Sequence, residues 1–145
     1  MDNNIAQLLE QGNSQIGHKA SSYSPLALAY IGDAVYEIFA RTYIMRRGNA
    51  PVNKLHKAVK NLVKAQTQSK IYYIFEDLLS EEEKDILRRG RNAKSISSPK
   101  NGDILDYRRA TAVEALLGYL YIDGSIQRIE ELMTTAIAEL TKIEE

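Results

Sequence analysis

The stretch Ser24-Pro25-Leu26-Ala27-Leu28-Ala29-Tyr30-Ile31-Gly32-Asp33-Ala34-Val35 decides how this chain is read. Ser24 is placed to cap a helix and Pro25 to take its first position, where a missing N–H is harmless and the fixed φ suits the helix. The predicted helix runs to about Arg46, and Gly48 stops it. Leu26, Leu28, Tyr30, Ile31, Val35, Ile38, Phe39 and Ile44 do not share one stripe, which predicts a central helix buried on several sides. Asp33 stands inside it, between Gly32 and Ala34. An ionised carboxylate in such a setting is costly unless it is paired, hydrogen-bonded or bound to a metal.

Outward from this helix the periodicity stays helical. A second helix is expected from Pro51, with Val52, Leu55, Val59, Leu62 and Val63 on one side and Lys54, Lys57, Lys60 and Lys64 opposite. The stretch from Ala65 to Leu79 is expected to continue it. Ser80-Glu81-Glu82-Glu83 is a capping-box signature for a helix ending near Asn92. Residues 94–102, rich in serine, glycine and lysine, read as a mobile loop. A long helix is expected from Asp103 to Gly124, and a last one from Ile126 to Leu140 with Ile129, Leu132, Met133, Ala136 and Ile137 on its apolar stripe. No alternation of the strand type is sustained, so the fold class is all-α. With 145 residues, one domain is expected, preceded by a flexible segment over 1–22.

Composition narrows the chemistry. There is no cysteine, which excludes a disulfide framework, a thiolate zinc site and a cysteine nucleophile. The N-terminus has no apolar run with a basic flank, and no stretch reaches the ~20 apolar residues of a membrane span, so a cytoplasmic protein is expected. Nineteen basic residues balance nineteen acidic ones. They are segregated, however. No acid lies between Ile38 and Phe75, where Arg41, Arg46, Arg47, Lys54, Lys57, Lys60, Lys64 and Lys70 fall, nor between Ile86 and Gly102, where Arg88, Arg89, Arg91, Lys94 and Lys100 fall. Such clustering gives a neutral chain a basic face suited to nucleic-acid phosphates, with binding that weakens steeply as salt rises.

A second lone acid, Glu114, sits in Ala110-Thr111-Ala112-Val113-Glu114-Ala115-Leu116-Leu117-Gly118, an apolar stretch whose small residues allow close helix packing. Each carboxylate taken alone is equally well read as the partner of an arginine or of helix N-terminal amides. Taken together, they are read more economically as one oxygen-ligand site for a hard cation. His56, among lysines, reads as exposed, and His18 lies in the N-terminal segment. Tyr72, Tyr73, Tyr119 and Tyr121 read as packing residues more than as base-stacking platforms.

The stretches Leu26 to Val35 and Ala110 to Gly118, with the loop from Asn92 to Asp103 and Tyr107-Arg108, resemble the two motif helices and connecting loop of the Mini-ribonuclease III family. The resemblance covers about residues 23–140. It implies a homodimeric ribonuclease III-type catalytic domain over 23–141, with no double-stranded RNA-binding domain after it. It also implies Mg2+-dependent cleavage of double-stranded RNA, on the stem formed by the ends of precursor 23S ribosomal RNA, with a ribosomal protein as a candidate assistant. The general pattern has four acidic ligands, two per helix; here Ala29 and Thr111 stand where Asp33 and Glu114 would have partners. Metal binding and catalysis therefore carry over to Asp33 and Glu114 alone. Water, Glu37, Asp103 or Asp106 are the candidates for the remaining positions. Arg91, Lys94, Lys100 and Arg108 are the expected RNA contacts. A non-catalytic RNA-binding or ribosome-assembly protein, and a helical interaction module, stay open at this point.

Overall fold

Ser24 Oγ accepts from the Ala27 N–H at 3.2 Å and Pro25 takes the first helical position, so α1 spans Pro25–Met45. Pro51 precedes α2, Val52–Val63, and α3 follows at Ala65–Glu76. Helix α4, Glu81–Asn92, opens on the expected capping box, with Ser80 N–H donating to Glu83 Oε1 at 2.9 Å and Glu83 N–H to Ser80 Oγ at 3.2 Å. Asp103 caps α5, Ile104–Ile122, by accepting from the Leu105 N–H at 2.8 Å. Gly124, at φ 83°, turns the chain into α6, Ile126–Glu144, through a conformation that a Cβ would strain.

The computed structural model describes residues 16–94 and 103–144. Within them there are six α-helices, a 3₁₀ turn at Ala20–Ser22 and no strand. Lys100, nearly all of the expected loop, and residues 1–15 of the segment expected to be flexible lie outside the described residues. The rest of that segment includes Ala20, which is buried.

The expected continuous run from α2 into Leu79 is broken at Lys64, whose ψ of 154° is extended. No glycine or proline marks the break. It is held from elsewhere: the last carbonyls of α2 are taken by side chains, Asn61 O by the Thr67 hydroxyl, Leu62 O by the Tyr36 hydroxyl and Val63 O by Gln68 Nε2. Orphan carbonyls at a helix end need such partners.

Helix α5, not α1, is the enclosed one. Ala110, Thr111, Ala112, Val113, Ala115, Leu116, Leu117, Gly118 and Leu120 are all buried, and α1, α3, α4 and α6 pack around it. Helix α1 buries Leu28, Ala29, Gly32, Val35, Tyr36, Ala40 and Ile44 on one side only. Its other side leaves Leu26, Tyr30, Asp33, Ala34 and Ile38 exposed, Tyr30 by 84%. Burial on several sides is thus not found for α1 among the described residues, because the positions 26, 30, 34 and 38 form a stripe that no described element covers. The lysines of α2, Lys54, Lys57 and Lys60, are exposed, while Glu81, Glu82, Glu130 and Glu131 expose their acids on α4 and α6. Among the described residues no helix is long and apolar enough to cross a membrane.

Candidate active site

Two glycines bring α1 and α5 into backbone contact. A methyl on Gly32 would lie 1.6 Å from the Glu114 carbonyl oxygen, and one on Gly118 would lie 1.9 Å from the Leu28 carbonyl oxygen. Only hydrogen fits at these points, so the helices cross at a distance no larger residue allows. The crossing sets Asp33, next to Gly32, against Glu114.

The two carboxyl groups are hydrogen-bonded to each other. Glu114 is half-buried and its pKa is pushed up to about 8, first by burial, then by the hydrogen bond and charge of Asp33; the Gln68 amide donates to it and acts in the opposite sense. Asp33 is exposed, not buried as its apolar neighbours suggest, because it lies at the edge of the open side of α1. Tyr36 stands beside the pair, and its hydroxyl is held well above the usual phenol range by burial and by the charge of Glu114. Neither Asp33 nor Glu114 forms an ion pair with a described lysine, arginine or histidine, whereas seven other pairs are formed. The arginine-partner reading of these carboxylates is therefore not realised.

The other acids considered for this site are used elsewhere. Glu37 pairs with Arg41 at 2.9 Å, Asp106 with Arg109 at 3.7 Å, and Asp103 caps α5. Among the described residues no three of His, Asp or Glu gather as a metal-ligand group. Ala29 is buried, and Thr111, also buried, donates to the Tyr107 carbonyl at 3.0 Å. His56 and His18 are exposed.

Helix α3 links the carboxylates to the cations. Gln68 reaches Glu114; Ser69 Oγ accepts from Arg109 Nη1 at 3.4 Å; the Tyr72 hydroxyl accepts from Arg91 Nη1 at 2.9 Å. Arg109 also lies 4.9 Å over the ring of half-exposed Tyr73, and Arg91 is half-buried. Lys94 and Arg108 are exposed. Gln68 is the site neighbour that sequence reasoning missed. Gln68 had a signal: it lies three, four and seven residues before buried Ile71, Tyr72 and Phe75, on the stripe that faces inward.

Residues 26–125 match the Ribonuclease III domain family. The Mini-ribonuclease 3 of Thermoanaerobacter sp. (strain X514) is 45% identical over 137 residues, 94% of this chain and 96% of that protein. The Mini-ribonuclease 3 of Clostridium tetani is 50% identical over 115 residues, 79% of this chain and 76% of that one. A crystal structure of a Fusobacterium nucleatum protein superposes with a TM-score of 0.72 at 35% identity, over 81% of this chain and 93% of that one. An α1–α5 crossing that pairs two carboxylates, together with this similarity over most of its length, places the chain in the ribonuclease III family, in its Mini-ribonuclease 3 group, as an endoribonuclease.

Proposed function

We propose that this endoribonuclease acts in the cytoplasm as a Mg2+-dependent homodimer on double-stranded RNA, with the end-stem of precursor 23S ribosomal RNA as its substrate. The observation that carries the reading is the Asp33–Glu114 pair, two carboxyl groups held together with no basic side chain between them among the described residues. An all-oxygen donor set relieved of mutual repulsion by a divalent ion fits a hard cation. With only two carboxylates, the remaining coordination falls to water, which magnesium retains readily.

In this reading Asp33 and Glu114 hold the cation. When bound, magnesium lowers the pKa of a water and offsets charge on the scissile phosphate. Gln68 and the α1–α5 contact keep Glu114 in place. Arg91, fixed by Tyr72, and Lys94, Lys100 and Arg108 take the phosphates flanking the cut. Recognition of the duplex relies on its shape and 2′-hydroxyls more than on base sequence. The apolar stripe of Leu26, Tyr30, Ala34 and Ile38 supports a dimer in which α1 packs against its copy, so that one two-fold assembly meets the two strands of one duplex. The residue set 23–141 is the catalytic domain of this reading, and a ribosomal protein is a candidate partner on the substrate.

The test is cleavage of an end-labelled RNA duplex in Mg2+ by the parent, Asp33→Asn and Glu114→Gln, purified identically. Cleavage by the parent that falls more than about a hundredfold in both variants is expected. Binding without cleavage by the parent, or equal cleavage by all three, would favour the non-catalytic RNA-binding reading instead.

A further inference from the structure

Gln68 is 4% exposed, in a position where an apolar side chain would complete the inward stripe of Ile71, Tyr72 and Phe75. Its Nε2 donates to the Val63 carbonyl at 2.9 Å, and its amide also donates to the Glu114 carboxylate. A carbonyl oxygen only accepts, so the amide atom against Val63 has to be the nitrogen, and this settles which way the group faces. Both amide hydrogens are then committed, one to the end of α2 and one to Glu114. The oxygen is not: Oε1 is buried with no hydrogen-bond partner among the described residues. A buried polar atom left in this state is uncommon and calls for a partner that the folded chain does not itself supply. The polar neighbours differ, since Thr67 donates to Asn61 O and Ser69 accepts from Arg109.

What that partner is follows from the donor set beside it. Two carboxylates, with no third acid or histidine joining them among the described residues, leave a hard cation with much of its hydration. Water bound to a cation turns its hydrogens outward, so its shell offers donors and needs acceptors. Oε1 is bonded to the same carbon as the nitrogen that holds Glu114, which puts a spare acceptor beside a ligand carboxylate. We propose that Gln68 is a positioning residue of the cation site: its Nε2 fixes Glu114 while its Oε1 accepts a hydrogen bond from the hydration shell of the cation. The proposal rests on the two-carboxylate reading given above.

Mn2+ titrated into the RNA-free full-length protein, with the free ion followed by its electron paramagnetic resonance signal, tests this without reference to cleavage. Gln68→Met keeps the length of the side chain and removes the amide; it is expected to weaken Mn2+ binding about 10- to 100-fold. Gln68→Glu adds a third carboxylate and is expected to tighten binding. A side chain that served only the end of α2 would lower the melting temperature in both variants and leave the Mn2+ affinity at the parent value, which overturns the proposal. Should Gln68→Met fail to fold, Gln68→Asn, which keeps the amide but withdraws it by one methylene, decides in its place: weaker Mn2+ binding supports the proposal, and binding at the parent value overturns it. Asp33→Asn and Glu114→Gln separate the two levels. If the parent does not bind Mn2+, or these variants bind it as the parent does, the cation site falls and Gln68 with it; if they lose binding while Gln68→Met keeps it, only the role of Gln68 falls.

Discussion

Glu114 keeps its proton to about pH 8 in the folded chain, against an ordinary value of 4.5, because it is partly buried and faces Asp33. Between those two values the folded state binds a proton that the unfolded state has released. The contribution of this group to stability is therefore fully present below pH 4.5 and is lost as pH rises through 8. Melting of the cation-free protein between pH 5.5 and 8.5 is expected to show a downward slope that Glu114→Gln flattens; equal slopes would remove Glu114 as its source. Asp33 and Glu114 were legible in the sequence because each is a single acid in a long apolar stretch. The exposure of Asp33 was not, since it depends on which side of α1 the chain leaves open. Gln68 was hidden by its company: in Gln66-Thr67-Gln68-Ser69 a polar residue reads as surface, although Thr67, Gln68 and Ser69 are all buried.

Helix ends were the most legible elements, because Ser24-Pro25, Ser80 with Glu83, and Asp103 announce themselves through local chemistry. The capping box at Ser80 does more than its pattern implies. Glu83 also accepts from Arg128 Nε and Nη2, each at 2.9 Å, which ties the start of α4 to α6 and holds the Glu83 carboxyl below the usual range. The break at Lys64 was not legible, since the groups that stabilise it come from Tyr36, Thr67 and Gln68, two of them on later turns of the chain and one on α1. At the crossing of α1 and α5 the prediction is sharper. Gly118→Ala sets a methyl against the Leu28 carbonyl and is expected to cost about 1–3 kcal/mol or more by overpacking, and to reduce cleavage beyond the loss in folded fraction. Gly124→Ala, at the surface turn, is the contrast: it is expected to lower the melting temperature while leaving the cleavage rate per folded molecule intact. Equal losses of specific activity in the two variants would show that the crossing does not set the carboxylate pair.

For the whole molecule, helix content and the single-domain core followed from periodicity, but which helix lies at the centre did not. A helix that is apolar all round looks the same in sequence whether its own chain covers every side or leaves one side for a copy. Helix α5 is the first kind, and α1, with Tyr30 and Ile38 exposed by 84% and 54%, has the open side. If a copy covers it, sedimentation equilibrium should give twice the chain mass for the parent and the single mass for Tyr30→Arg with unchanged helix content; a parent that stays at the single mass through the micromolar range would sink the pairing. The segregation of charge has a further consequence away from any RNA. A chain with zero net charge that exposes a row of lysines on α2 and glutamates on α4 and α6 carries patches of both signs near neutral pH. Such molecules do not repel one another as ions, and their patches of opposite sign attract. Modest salt, which screens that attraction, should therefore dissolve this protein, and dilution into water at neutral pH should bring it out of solution.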